Sequence, residues 1–526
     1  MRQSLLALYL ALSLVPSAAM AQSSEGGQAG RRHVAAQAGA TRRGPAQLSE
    51  QDRIVHVLNR LTFGPCPGDI NRVKSMGLDN FIEEQLHPEK MREAQSVIDF
   101  VKTSDALTKN PDDLVLEYGN GAQNTILAEQ GLDPKTTEGR TALGKIRGQY
   151  YKTILNDTTQ AKIMGAVESP RQLQEVMTEF WFNHFNIYFA KGNDRLWIGA
   201  YEGQAIRPYA LGKFRDLLGA TCHHAAMLVY LDNSSNSAPK TVGNNTTGLN
   251  ENYARELMEL HTLGVDGGYT QKDVIQMAHV LTGLTVAAHD GKTGELRSET
   301  NAFGSYFNPK RHDFGDKVVL GQTIQGTGAD EVDRALDMLA REPATAHHIC
   351  FQLAQYFVSD NPPKALVDRL SAKFLKSDGE IRDVLRELFY SPEFNDPANV
   401  YNKFKSPLRH MISILRATAT RPQDFVRVQQ YLRGQGEPIY GCLTPDGYKN
   451  VKEAWLNPDA LLHRANFAID YTTGHFKGAD PGDLRAQDLE DTLDLPLAPA
   501  TIAAIDKAPA NLKPALLLGS PEFMLY

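Results

Sequence analysis

The sequence predicts a mainly α-helical protein, a multi-helical globular body with a small β-hairpin excursion near residues 303–321. Three observations predict it. Apolar residues recur at three- and four-residue spacing through most of the chain from Leu48 onward, which is the period of an amphipathic helix. Proline falls in the gaps between those stretches, at Pro343, Pro362, Pro363 and Pro392, where helices end or begin. Strand-type runs are confined to 305–308 and 317–320, on either side of Pro309 and His312-Asp313-Phe314-Gly315, and together read as one hairpin.

From the N-terminus, Met1 and Arg2 form a short positive start and 5–15 an apolar run. Ala19-Met20-Ala21 then has the small-x-small spacing of a cleavage site, so 1–21 reads as a Sec-type signal peptide cut after Ala21. The run is too short to span a bilayer, and no later stretch approaches ~18 uninterrupted apolar residues, so no membrane span is expected. Residues 22–47 are rich in Gly, Ala, Ser and Gln and carry Arg31, Arg32, Arg42 and Arg43 against Glu25. That composition orders no core and reads as a flexible basic leader. Residues 48–526 then form a single large α-helical body, with a division into two subdomains as the alternative.

Within the body, Ser49 and Asp52 cap a helix that places Ile54, Val57, Leu58 and Leu61 on one face. Short helices follow at 70–76 and 78–86, and later ones at 331–341, 344–358, 364–374, 380–389 and 403–417. The stretch 171–189 is apolar almost all round, the mark of a buried helix. Its polar exception is a narrow stripe of Glu179, Asn183 and Asn186. A buried carboxylate is either partnered or has a raised pKa, so the stripe reads as a catalytic acid with its neighbours or as a structural hydrogen-bond network. His184 points from the apolar side, among Leu173, Met177 and Phe180, and reads as a satisfied core residue.

A helix at 251–263 follows, with Asn250 at its N-cap and Gly264 as its stop. Glu251, Asn252, Arg255, Glu256 and Glu259 share one face, and Tyr253, Ala254, Leu257, Met258 and Leu260 the other. The i, i+4, i+8 spacing of Glu251, Arg255 and Glu259 also fits an exposed ion-pair ladder. His261 falls on the apolar face, where it would join Glu179 if the two helices meet. The polar segment 231–250 puts Asp232 and Asn233 at one end and Asn250 and Glu251 at the other, and long polar loops are often functional. Thr270 with Asp273 opens the next helix, which carries His279 and stops at Gly283. These pieces, with His312 and Asp313, are expected to line one pocket.

Composition limits the function. Of 526 residues, 42% are hydrophobic and 22% charged, enough apolar material for a substantial core. The formal charge of −7 becomes −11 for the body once Arg2 and the leader's three excess positive charges are set aside. An acidic body of this kind is not an electrostatic nucleic-acid binder. Cys66, Cys222, Cys350 and Cys442 are too far apart in sequence for a zinc pattern. In an oxidising compartment one or two disulfides remain open, and Cys222-His223-His224 reads as a helix end rather than a metal site.

Several motifs carry a family resemblance. "LNRLTFGPCPGD" (58–69), "FWFNHF" (180–185), "MLVYLDN" (227–233) and "NENYARELMELHTLGVDGGYT" (250–270) resemble a large exported bacterial family catalogued as domain of unknown function 1800. "LTG" (281–283), "HDFGDKVVLG" (312–321) and "LLHRANF" (461–467) are similar to it too, so the likeness runs from Leu48 past Phe467. The resemblance implies a bacterial, periplasmic or secreted protein, often encoded beside a sulfatase-like exported partner, with no established activity or cofactor. Where it implies a Trp after Gly283, this chain has Leu284.

The residues themselves suggest a carboxylate-based hydrolase acting on a polysaccharide or other envelope polymer. Glu179 is the expected acid of raised pKa, and Glu256 or Glu259 the base or nucleophile, with His261 beside them. Asn183 and Asn252 would orient substrate and Arg255 hold a carboxylate ionised, while Trp181, Tyr188 and Trp197 offer stacking surface. His184, Asp232, Asn250, Glu251, His312 and Asp313 complete the expected substrate-binding set. Two alternatives remain: a non-enzymatic exported helical scaffold or partner protein, and a metal-dependent enzyme using Glu179, Glu256, Glu259, His184 and His261. The metal form is the weaker, because Glu259 and His261 at i, i+2 do not share a helix face.

Overall fold

The helix Glu50–Leu61 begins where Ser49 accepts the Asp52 N–H at 3.1 Å, and it buries Ile54, Val57, Leu58 and Leu61. The next two helices, Asp69–Met76 and Leu78–Leu86, hinge at Gly77, whose φ of 87° suits glycine. The computed structural model describes residues 48–242, 245–288, 296–477 and 480–526. The signal peptide and leader expected at 1–47 lie outside the described residues.

The fold is mainly α-helical, with three two-stranded antiparallel sheets among the described residues. Its longest helix, Thr137–Glu168, had no counterpart in the sequence reading. Gly139, Gly144 and Gly148 interrupt its first half, and burial is concentrated from Ile154 onward, so no continuous apolar stripe marks it. Its buried second half packs on the helices Pro407–Ala417, Asp194–Ala200 and Gln172–His184.

The helix expected over 171–189 stops at His184. Phe185 leaves helical geometry at φ −100°, ψ 47°, and its carbonyl accepts the Tyr201 hydroxyl at 2.8 Å. The acidic helix is likewise shorter than expected, Asn252–Glu259, with Glu251 at its N-cap and Asn250 Oδ1 accepting the Asn252 N–H at 3.0 Å. Gln271–Val280 opens with the expected capping box of Thr270 and Asp273.

The β excursion contains the expected strands in a different pairing. Ser305–Phe307 pairs with Leu284–Val286, and Lys317–Val319 pairs with Gln322–Ile324. The second pair turns on Leu320 and Gly321, both at positive φ (50° and 75°), which is the two-residue turn that matches strand twist. Between the two pairs, His312 is buried against Glu331, so 305–308 and 317–320 do not face each other.

Later helices lie near their expected places: Asp330–Arg341, Pro343–Phe357, Lys364–Lys376 and Ile381–Phe389. The one expected over 403–417 begins only at Pro407, capped by Ser406. Residues 403–405 instead run beside 524–526, with Lys405 N–H donating to the Met524 carbonyl at 2.9 Å and Tyr526 N–H to that of Lys403 at 2.9 Å. All four cysteines are free thiols. A single cluster of buried apolar residues extends from Ile54 to Phe523. Among the described residues no helix is long and apolar enough to cross a membrane.

Candidate functional site

A cavity of about 550 Å³ is walled by the helices Gln172–His184, Asn252–Glu259 and Pro343–Phe357, by the start of Pro407–Ala417 with the residues 404–406 before it, and by the loop 445–450 with the short helix Lys452–Trp455. Of the residues expected from sequence, Glu179, Asn183, His184, Glu256 and Glu259 reach its wall. Glu437, Arg409, Asp446, Tyr448 and Trp455 join them.

Glu179 is held from behind by an ion network. Lys162, on the long helix, places Nζ 2.5 Å from Glu179 Oε2 and 2.7 Å from Glu202 Oε2. Glu202 sits on the π-helical turn Tyr201–Ile206, an irregularity that often re-aims a side chain. Arg207 continues the chain of charges to Glu202 at 3.0 Å and to Glu175. Burial pulls the Lys162 pKa down, but the Glu179 and Glu202 carboxylates outweigh it and hold its pKa above the ordinary value. Burial likewise pushes Glu202 up, yet Lys162 and Arg207 bring it below its usual range.

The acid with the large shift is Glu437, which follows the helix Phe425–Gly434. It is 5% exposed and still forms part of the cavity wall. Burial pushes its carboxyl up to about 8; the Leu408 N–H, donating to Oε2 at 2.6 Å, works against the rise, and the neighbouring Glu179 carboxylate adds to it. The wall therefore holds a carboxyl that burial biases toward its protonated form beside one that is ion-paired to lysine.

Glu256 and Glu259 form another part of the wall. Burial and then the Glu259 charge raise the Glu256 pKa, against Arg255. Glu259 accepts the Tyr269 hydroxyl at 2.9 Å. Asp446 is paired with Lys449 at 2.5 Å.

Asn183 and Asn186 hold the loop that closes the site. Asn183 Nδ2 donates to the Tyr448 carbonyl at 2.8 Å, and Asn183 Oδ1 accepts the Tyr448 N–H at 2.7 Å. Asn186 Nδ2 donates to the carbonyls of Thr444 at 2.8 Å and Cys442 at 3.2 Å. The approach is so close that a Cβ on Gly447, at φ 67°, would overlap the Asn183 carbonyl and side chain. His184 is bonded at both ring nitrogens, to the His261 carbonyl (3.1 Å) and to Gln352 (2.7 Å). Burial and the neighbouring His348 ring lower its pKa to about 3. His261 lies behind His184 among Phe185 and Tyr253 and is not on the wall.

The remaining expected residues lie elsewhere. Trp181 is 0% exposed and donates Nε1–H to the Ala210 carbonyl at 2.9 Å, and Trp197 donates to that of Pro111 at 2.8 Å, so both are core. Asp232 pairs with Lys191 at 2.8 Å on the surface. Glu251 pairs with Arg255 at 3.2 Å and accepts from Gln271 at 2.7 Å, leaving the ladder without Glu259 as its third rung. Asn250 and Asn252 spend their side chains on the backbone around 231–236 and on the helix start. His312 bonds the buried Glu331 at 2.9 Å, and Asp313 bonds His279 at 2.7 Å, both away from the cavity. Among the described residues no group of His, Cys, Asp and Glu is arranged to hold a metal ion.

Sequence reasoning missed Glu437, Arg409, Tyr448 and Trp455. The signal that could have pointed to Glu437 and Tyr448 is the Gly- and Pro-rich run 434–450, an irregular stretch of the kind that often carries function, whereas nothing in the sequence marked Arg409 and Trp455. A family model described as "Protein of unknown function (DUF1800)" matches residues 56–525. No curated protein and no solved structure matches the chain. With nearly the whole chain covered, this protein belongs to the DUF1800 family.

Proposed function

We propose that the protein is a carboxylate-based hydrolase that cleaves a glycan or related polymer of the bacterial envelope or its surroundings. The observation that carries this reading is the pairing of Glu437, pushed up to about 8, with Glu179, ion-paired to Lys162, on one cavity wall. Two carboxyl groups in contrasting environments are what acid–base cleavage of a glycosidic bond requires. Glu437 gives its proton to the leaving oxygen as the C–O bond breaks. Water adds its oxygen to the anomeric carbon, and its proton passes to the Glu179 carboxylate. Solvent then carries the proton from Glu179 back to Glu437, so that the elements of water end divided between the two sugars and both carboxyl groups are restored. Tyr448, Trp455, Phe63 and Tyr356 supply aromatic wall for sugar rings, and Glu256 and Glu259 supply hydroxyl acceptors. The signal-like residues 1–21 support a periplasmic or secreted site of action.

The test is a reducing-end assay of the purified protein on bacterial polysaccharides, beside Glu437→Gln and Glu179→Gln. Each variant is expected to lose about 10²-fold or more of the rate, as removal of a general acid or base does. Release from no polysaccharide, or release undiminished in both variants, would overturn the reading in favour of a non-catalytic scaffold.

A further inference from the structure

Buried cations in this protein normally have a carboxylate. Lys317 has Glu331 at 2.6 Å, Arg416 has Asp69 at 3.1 Å, and Lys403 has Asp360. Four other buried basic side chains, Arg409 on the cavity wall and three packed behind it, do not, and in one of them, Lys405, burial and the neighbouring Arg409 and Arg464 hold the amine well below its ordinary pKa. Arg60, Lys405, Arg409 and Arg464 are 0%, 3%, 5% and 0% exposed, and none has an ion-pair partner among the described residues. They pack on rings instead: Arg60 and Arg409 lie 4.7 Å and 4.1 Å from the Tyr526 ring centre, Arg464 4.5 Å from that of Phe404, and Lys405 3.8 Å from that of Phe523.

Their hydrogen bonds are incomplete as well. Arg409 donates through Nη2 to the carbonyls of Asn59 and Thr62, both at 2.7 Å, but its Nε has no partner. All three nitrogens of Arg464 are buried and unpartnered. Glu437, the carboxyl whose charge bears on Arg464, is itself pushed up to about 8 by burial, which weakens it as a counter-charge at neutral pH. Uncompensated buried charge is costly, and ring faces offset only part of that cost. Arg409, Phe404 and Tyr526 all stand on the cavity wall, so an anion in the cavity would lie against Arg409 and the rings that the other two arginines pack on.

We propose that this end of the cavity is an anion subsite, so that the glycan unit bound there carries an oxyanion such as a uronic-acid carboxylate. Arg409 is its direct partner, and Arg464, behind Phe404, strengthens the potential from within the fold. This names the substrate class of the hydrolase reading and rests on it for the word substrate. The subsite itself is a binding claim, independent of turnover.

The experiment is calorimetric titration of the full protein with glucuronate, glucose 6-sulfate and glucose, repeated on Arg464→Met. Arg464→Met removes a charge that makes no hydrogen bond, so the variant is expected to keep or raise its melting temperature. Loss of a buried charge near the site should weaken glucuronate binding about tenfold, or ~1.4 kcal/mol, and leave glucose unaffected. In the unaltered protein at least one anionic sugar is expected to bind at least about tenfold more tightly than glucose, and which one it is separates carboxylate from sulfate. Equal binding of all three sugars overturns the proposal, whatever the variant does. So does unchanged glucuronate affinity in a folded Arg464→Met, with Arg409→Gln as the second variant if the first does not fold. Anion binding without cleavage of any polysaccharide would instead sink the hydrolase reading and leave the subsite standing.

Discussion

Asn183 closes a two-bond ring on the backbone of Tyr448, donating to its carbonyl at 2.8 Å and accepting its N–H at 2.7 Å. A side-chain amide thereby acts as a strand neighbour for a loop that has no other regular pairing, and it fixes Asp446 and Tyr448 at the cavity wall. Asn183→Ala removes both bonds and leaves two part-buried backbone groups unsatisfied. The expected cost is about 2 kcal/mol in urea unfolding, with faster amide exchange over 441–450. An unchanged midpoint and unchanged exchange would show that the loop is held by other means.

Lys162 bridges Glu179 and Glu202, and Arg207 is a second partner of Glu202. Lys162→Met keeps most of the side-chain volume but leaves Glu179 without its cation, next to a Glu202 that Arg207 still partners. Destabilisation of about 3–5 kcal/mol is expected at neutral pH, because breaking one partner of a buried pair leaves uncompensated charge. Urea midpoints measured for the variant and the parent protein check this, and equal stability would contradict it.

The carboxylates were partly legible in sequence, and the reason is geometric. Glu179, Glu256 and Glu259 stand on helices, where a period of 3.6 tells which side chains share a face. All three do line the cavity. Glu437 was invisible because no period governs its segment, and its burial is set by Ser406 and Leu408 on the helix start it packs against. The segment 231–250 misled for the opposite reason. Its asparagines are consumed by the fold: Asn233 donates to the Leu281 and Leu284 carbonyls at 3.2 and 2.9 Å, and Asn236 to that of Ala278 at 2.9 Å. Trp181 was placed correctly as buried by the all-round apolar helix, and that same burial excludes it from stacking on a ligand.

Three buried histidines make the fold acid-sensitive. Burial lowers His56, His184 and His224 from 6.5 to about 3 each, with Arg60 adding to the effect at His56 and His348 at His184. Below about pH 6.5 the unfolded chain takes up protons that these rings in the fold refuse. Stability is therefore fully present above that value and is lost progressively as pH falls toward 3. Denaturant midpoints measured from pH 7.5 to 4 should fall steadily, and a flat profile below 6.5 would contradict the burial of neutral imidazoles.

The central claim is that the cavity keeps one carboxyl group protonated at neutral pH beside another that is ion-paired to lysine. Titration of Glu437 itself is its most direct test, by carbon NMR of glutamate-labelled protein with Glu437→Gln to assign the resonance. The account predicts a carboxyl that holds its proton through pH 7 and titrates at about 8. A Glu437 resonance that titrates near the ordinary value of 4.5 would contradict it.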